Sequence, residues 1–307
     1  MNTVYDIAII GGGPAGLVAA LYARRANKTA VVLEKATFGG QITFSPKVEN
    51  IPGFLSVTGN EFAEKLVEQV LEQGADVEMC EVTGVKDGEI KTVMTDTGDF
   101  EARALIIATG AKHRTLGLEN EERFIGEGIS FCAVCDGAFY QGKDVAVIGG
   151  GNSALQEAIL LSDVARSVTV VQNLDFLTGE AKLQEQLLAK KNVKVILGAT
   201  VKKYLGDTEL KGITVEDAKT KELSDIALDG LFLAVGLVPQ NEVLRGIVDL
   251  DERGYIKAGE NTITSAEGIF AAGDCRTKRI RQVATAAADG AVAAVSACDL
   301  IDSMKNG

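Results

Sequence analysis

The chain has 307 residues, 46% of them apolar, with a net charge of −12, five cysteines, one histidine and no tryptophan. That is enough chain for about two domains of roughly 150 residues each, and enough apolar surface to exclude wholesale disorder. No run of Lys or Arg exceeds a pair, so the charge speaks against binding a nucleic-acid backbone, and the odd, scattered cysteines speak against a secreted disulfide framework.

The first predicted element is the apolar strand in YDIAII, which runs into a glycine turn at 11–16, a helix, and a second apolar strand ending at Glu34. MNTVYDIAII contains an acid and leads straight into that turn, so it is not read as a signal peptide, and a cytoplasmic chain is expected. The strand in LIIATG (105–110) closes this first unit. The whole pattern then returns at an offset of 138 residues. YDIAIIGGGPAGLVAALYARRANKTAVVLEK lies on KDVAVIGGGNSALQEAILLSDVARSVTVVQN without a gap, and LFLAVG (231–236) answers LIIATG. Two such βαβ beginnings predict an α/β fold of two doubly wound, Rossmann-like dinucleotide-binding domains.

The tail carries one more short strand, in TSAEGIFAAGDC (264–275), and an Ala-rich stretch, VATAAADGAVAAVSA. It is too short for a third domain and is expected to complete the first, with the second domain inserted: 1–116 with 248–307, and 117–247. The crossings are expected near 116–119 and 244–247, where Gly117 and Gly246 read equally as hinge or as turn glycines. The Ala-rich stretch holds Asp289 and falls short of about 18 to 20 apolar residues, which predicts a buried helix and no membrane span.

The first turn, Gly11-x-Gly13-x-x-Gly16, sits between a strand and a helix, the context in which this spacing holds a pyrophosphate. Glu34 ends the next strand, 21 residues after Gly13, where a carboxylate accepts from ribose hydroxyls. The second turn is Gly149-x-Gly151-x-x-Ala154, and its ribose-reading position, again 21 residues on, is Gln172. A carboxylate there would suit NADH and an Arg cluster just beyond would suit NADPH. Asn173 to Thr178 contain no cation.

Between the two turns lies CAVCDG (132–137). Zinc would need two more ligands, and the remaining cysteines are isolated, so no metal is expected. A CxxC within an α/β chain of this kind reads as a redox dithiol before it reads as a buried structural pair, and Asp136, next in sequence, is placed to exchange a proton with a thiolate.

Over essentially its whole length the chain resembles the low-molecular-weight thioredoxin reductases. The resemblance is carried by GGGPAG, FGGQ (38–41), VENIPGF (48–54), ATGA (108–111), FCAVCDGAFY (131–140), VIGGGNSA (147–154), GIFAAGDC and IRQV (280–283). It implies FAD in the discontinuous first domain, a homodimer, and reduction of thioredoxin or a thioredoxin-like protein. The FAD contacts it implies are Gly11, Gly13, Pro14, Ala15 and Gly16 of the turn, Glu34 and Lys35, then Gly39, Gly40, Gln41 and Asn50, Thr109 and Gly110, and Asp274, Arg281, Gln282 and Val283. A nicotinamide dinucleotide would lie on Gly149, Gly151, Asn152, Ser153, Ala154 and Gln172. By the same resemblance Cys135 is the thiol nearer the flavin, Cys132 attacks the partner, and Asp136 is the acid–base.

The chain departs from the family at one stretch. NADPH-using members carry His-Arg-Arg where this chain has Gln172, Asn173 and Leu174, and a further Arg where it has Thr178. The expected donor is therefore NADH before NADPH, since an amide still bonds ribose hydroxyls whereas a 2′-phosphate would find no counter-charge. The alternative is the same disulfide reductase fed by ferredoxin, as in some clostridial relatives.

Overall fold

A computed structural model describes residues 4–45 and 48–306. The chain forms two units, Met1–Lys112 with Val238–Gly307, and His113–Leu237.

The first unit opens with β1 (Val4–Ile10), α1 (Pro14–Arg25), β2 (Ala30–Glu34), α2 (Gly59–Glu72) and β3 (Asp76–Met79). It continues with β4 (Val82–Lys86), β5 (Lys91–Thr95) and β6 (Phe100–Ile107). β1, β2 and β3 pair in parallel, β6 joins β1 in parallel, and β5 and β4 follow as an antiparallel edge. The inner strands are buried on both faces, which is why Ile7–Ile10 and Ala104–Ile107 read as continuous apolar runs without alternation. Pro14 starts α1, where its missing N–H costs nothing, and the Thr58 hydroxyl caps α2 by accepting from the Glu61 amide.

The chain leaves through β7 (Ala111–His113). The second unit holds α3 (Glu121–Phe124), β8 (Ile129–Ser130), α4 (Ala133–Asp136), β9 (Asp144–Ile148), α5 (Asn152–Ser162) and β10 (Ser167–Gln172). After α6 (Ala181–Leu188) and β11 (Val193–Leu197) come the antiparallel trio β12 (Ala199–Gly206), β13 (Leu210–Asp217) and β14 (Leu223–Ala227), then β15 (Gly230–Leu233). The parallel sheet runs β11-β10-β9-β15-β8. The chain returns through β16 (Leu237–Pro239), which pairs with β7, and completes the first unit with β17 (Ile269–Ala271) beside β6 and with α7 (Val283–Asn306).

Two expectations need correcting. The chain crosses at 112/113 and 237/238, ahead of the glycines at 117 and 246. The reason is packing: Leu116 and Leu118 lie against the core of the second unit, while Leu244 and Val248 are buried in the first. Gly117 and Gly246 both have positive φ with open space where a side chain would begin, and they fall inside the second and the first unit respectively. The Ala-rich helix is also longer than the 15-residue apolar stretch, at 24 residues, and by length and composition alone could cross a membrane. Ala286, Ala293, Ala294, Ala297 and Ile301 instead pack into the core with α1, and Asp289 is buried in ion pairs. Alanines allow the two helices to approach closely.

Candidate active site

The glycine turn of the first unit is built as its spacing predicts. A side chain at Gly11 would stand 2.3 Å from the Ala108 carbonyl oxygen, and one at Gly16 would stand 1.9 Å from that of Gly11. At Gly13 the nearest atom would be 4.0 Å away, the Gly39 carbonyl oxygen. The outer two glycines therefore close the turn, and the middle one leaves room for a ligand above the start of α1, at Pro14 and Ala15. Glu34 ends β2 with one carboxylate oxygen accepting from the Gly12 amide (2.7 Å) and the other from the Ala36 amide (2.9 Å). Lys35 points to the surface toward Glu81.

Gly39 and Gly40 lead into the short turn Gly40–Phe44, from which the Gln41 amide donates to the Ala111 carbonyl. The Asn50 amide donates to Gln282 Oε1 at 3.1 Å, so two residues distant in sequence meet. The Thr109 hydroxyl donates to Asn241 Oδ1 (2.8 Å), whose Nδ2 donates in turn to the Gly254 and Cys275 carbonyls, 2.9 Å each. Asn241 thus ties the Thr109–Gly110 turn to the Gly273–Cys275 turn.

That second turn is held from beneath. Arg276 makes a two-pronged pair with Asp289 (2.9 and 2.7 Å), Lys278 adds a bond of 2.9 Å, and the Gly273 amide a fourth. Burial alone would raise the Asp289 carboxyl; the bonds from Arg276 and Lys278 outweigh it and hold the group below the usual range. Above the clamp, Asp274 Oδ1 and Arg281 Nε are buried without a hydrogen-bond partner among the described residues. Burial raises Asp274, while the charges of Lys278 and Arg281 pull the other way. The Arg281 guanidinium lies 4.4 Å from the Tyr255 ring centroid, and Val283 begins α7 just beyond. Orphaned buried polar atoms call for a partner the protein does not supply. Together with the open face at Gly13, they fit FAD.

In the second unit, Cys132 and Cys135 form a disulfide with Cα atoms 5.3 Å apart. Cys132 is the extended N-cap of α4, and its Sγ accepts from the Cys135 amide at 3.2 Å. Phe131, just before it, stacks on His113 at 4.6 Å between centroids, and burial pushes that histidine down to about 4, so it is neutral near pH 7. Asp136 accepts from the Ser130 hydroxyl (2.6 Å), while its other oxygen is buried without a hydrogen-bond partner among the described residues. Cys80, Cys275 and Cys298 are free and buried.

The second glycine turn repeats the first, with Gly149 against the Ala234 carbonyl, Gly151 open and Ala154 buried at the third position. Its ribose-reading position differs. Gln172 is only 5% exposed, lies over Gly150, and turns its amide onto its own loop, donating to the Phe176 carbonyl (3.4 Å) and accepting from the Asn173 amide (3.2 Å). Thr178 and Gly179 donate their amides to the Gly150 carbonyl, and Asn152 and Glu180 exchange bonds of 2.8 and 2.7 Å. Ser153 beside them is exposed.

Sequence reasoning missed Ser130, Asn241, Arg276, Lys278 and Asp289. Asn241, Arg276, Lys278 and Asp289 act through partners 11 to 132 residues away, and Ser130 through a local turn that no motif marks; only the buried acid within an alanine helix gave a signal. Glu157 on α5 is a further surprise: burial pushes it up to about 8, with Oε2 unpartnered among the described residues. Its folded value lies above the unfolded 4.5, so stability falls as pH rises between the two. Glu157→Gln should therefore leave the melting temperature alone at pH 5 and raise it at pH 9, by about 3 to 5 kcal/mol of stability. Equal melting temperatures of both proteins at pH 9 would refute this.

Residues 5–290 match the family described as pyridine nucleotide-disulphide oxidoreductase. A thioredoxin reductase of Treponema pallidum (strain Nichols) is 40% identical over 308 residues, covering 100% of both chains. The chain belongs to this family, among the low-molecular-weight thioredoxin reductases. This thioredoxin reductase-type flavoprotein is also 42% identical, over 295 residues, to a "34.2 kDa protein in rubredoxin operon" of Clostridium pasteurianum, covering 95% of this chain and 96% of that one. The crystal structure of thioredoxin reductase from Streptococcus pyogenes MGAS5005 has a TM-score of 0.94 to it at 38% identity, covering 99% of this chain and 100% of that one. The fold and the disulfide oxidoreductase activity follow from this membership.

Proposed function

We propose that the protein is an FAD-dependent thioredoxin-disulfide reductase that takes electrons from NADH. The observation that carries the reading is the Cys132–Cys135 disulfide, bridged across one turn of helix beside a half-buried carboxylate. FAD would be held by Gly11, Gly13, Pro14, Ala15 and Gly16, by Glu34, Gly39, Gly40, Gln41 and Asn50, by Gly110, and by Asp274, Arg281, Gln282 and Val283. Bound FAD supplies two-electron transfer from the donor to the disulfide. Lys35, paired with Glu81, and Thr109, whose hydroxyl is spent on Asn241, would contribute through the backbone.

The protein's own residues then carry the exchange. The Cys132 thiol loses its proton to the Asp136 carboxylate, and the thiolate attacks the partner disulfide. An S–S bond forms to Cys132 as the partner's S–S bond breaks, and the leaving sulfur takes the proton from Asp136. Cys135 repeats the transfer on the mixed disulfide: its thiolate re-forms the Cys132–Cys135 bond, and the second partner sulfur leaves with the proton. Two electrons and two protons pass to the partner, which becomes a dithiol. Burial keeps the Asp136 carboxyl above its ordinary range even against the Ser130 bond, which suits a group that must hold a proton. A cytoplasmic, homodimeric protein acting on thioredoxin or a thioredoxin-like partner belongs to this reading; buried free thiols at three positions are in keeping with a reducing compartment.

The donor turns on Gln172. NADPH would bring a 2′-phosphate to a loop without a cation, whereas NADH asks only for bonds to ribose hydroxyls. A second reading, reduction by ferredoxin, is favoured by the same side chain, because its amide is already bonded within its own loop. Anaerobic titration of the flavin absorbance with NADH, NADPH and reduced ferredoxin separates them. Bleaching by NADH and not NADPH is expected; bleaching by ferredoxin alone would replace the donor in this proposal.

A further inference from the structure

We propose that Ser130 is a positioning residue for disulfide exchange, whose hydroxyl fixes one oxygen of Asp136 and leaves the other as the proton-carrying one. The inference rests on the acid–base role of Asp136 proposed above and adds the residue that orients it.

Ser130 closes β8, whose register beside β15 sets Ile129 against Leu231 and Ser130 against Phe232. It is 5% exposed, so its hydroxyl has no ready access to water. The Cys132 amide donates to its Oγ at 3.1 Å, and the hydroxyl donates to Asp136 Oδ2 at 2.6 Å. A hydroxyl has one proton and two lone pairs. With a lone pair taken by the Cys132 amide and the proton given to Asp136, both ends of the CxxC-Asp turn are pinned to one atom of a sheet residue. The bond also breaks the symmetry of the carboxylate. Oδ2 is committed, whereas Oδ1 is buried with no hydrogen-bond partner among the described residues. A transferable proton belongs on Oδ1, since a proton on Oδ2 would oppose the incoming hydroxyl hydrogen.

The same bond sets how readily Asp136 gives up its proton. Burial raises the carboxyl and the Ser130 bond lowers it. Its titratable neighbours are Cys132 and Cys135 on its own turn and Tyr140 on the following turn, and α5, the helix packed against α4, carries Glu157. Tyr140 is pushed up to about 12 by burial and then by the charges of Asp136, Asp229 and Glu127. Glu157, at about 8, could add an inflection of its own.

The test is the pH–rate profile for a single turnover of pre-reduced holoenzyme with oxidised thioredoxin, measured for wild type, Ser130→Ala, Ser130→Thr and Asp136→Asn. Each is also measured in a Glu157→Gln background, which removes the inflection of that carboxylate. Wild type should show an inflection that Asp136→Asn abolishes. Ser130→Ala should move it up by about one pH unit, the effect of losing one bond to the charged form. The rate should fall by roughly tenfold with half-saturation by thioredoxin unchanged, and Ser130→Thr should return the inflection toward wild type. A purely structural role would lower the melting temperature and leave the inflection in place. An unmoved inflection in Ser130→Ala overturns the role of Ser130 while leaving that of Asp136 standing; an Asp136→Asn profile that matches wild type at every pH, with no inflection removed, overturns both. Should Ser130→Ala not fold, Ser130→Cys, near-isosteric with a weaker donor, carries the test with a smaller shift in the same direction.

Discussion

Replacing Asp289 by alanine should cost the protein about 3 to 5 kcal/mol, the scale seen when one partner of a buried ion pair is removed. The carboxylate answers two cations at once, Arg276 and Lys278, each with a side chain only 7% exposed. Without it, both positive charges remain in a site that water scarcely reaches, and the Gly273 amide loses its acceptor. The pair itself contributes less than this loss, because burying all three charges cost much of what their attraction returns. Asp289→Asn should fall in between, since it keeps an acceptor for one donor and surrenders the charge. Because the folded carboxyl sits below its unfolded value, its contribution is in full force above pH 4 and is lost as pH falls through the lower folded value. Urea denaturation at pH 7 followed by circular dichroism reads the effect, and an Asp289→Ala midpoint equal to wild type would sink the argument. Flavin release should accompany the loss, since the clamp holds the turn that carries Asp274, a residue proposed to hold the cofactor whose Oδ1 is buried without a hydrogen-bond partner among the described residues.

The parts of this molecule that could be read from sequence are those whose chemistry is local. Gly11, Gly13 and Gly16 could be placed because strand, turn and helix follow one another without a gap, and the repeat at 149–154 made the second domain visible. Cys132 and Cys135 declared themselves by spacing. What could not be read depends on how the backbone is bent, whether between distant segments or within one turn. Asn241 stands 132 positions from Thr109 and has no motif around it. Ser130 looks like any serine at a strand end until the chain turns back on itself at α4. The domain crossings were misplaced because glycines at 117 and 246 drew attention to turns, whereas the boundary is set by where Leu116, Leu244 and Val248 find their cores.

Gln172 is the instructive case. Its position could be counted from the glycine turn, and its lack of charge was evident, but not its direction. At the equivalent place in the first unit, Glu34 accepts from the Gly12 amide. An amide carries a donor as well as an acceptor, and at Gln172 the donor goes to a backbone carbonyl four residues on. The substitution therefore removes a charge and also gives the loop a bond of its own. A ligand wanting that amide must first compete with the loop.

The two cysteines should separate cleanly by trapping. The substrate is a thioredoxin whose buried active-site cysteine is replaced by serine and whose exposed one is linked to thionitrobenzoate. Pre-reduced Cys135→Ser should attack it, release one thionitrobenzoate per chain and stay joined as a mixed disulfide, because no second thiol remains to resolve it. Cys132→Ser should react slower by on the order of a thousandfold, a serine hydroxyl being no substitute for a thiolate. The structure supports this direction: the Cys135 amide points at Cys132 Sγ from 3.2 Å, a donor suited to a developing thiolate, and Cys132 lies in extended chain ahead of the helix. Both variants should keep a flavin spectrum, since every residue proposed to hold FAD lies in the first unit and both cysteines lie in the second. If Cys132→Ser traps the partner and Cys135→Ser does not, the two thiols exchange roles, and the amide at 3.2 Å marks the sulfur that faces the flavin.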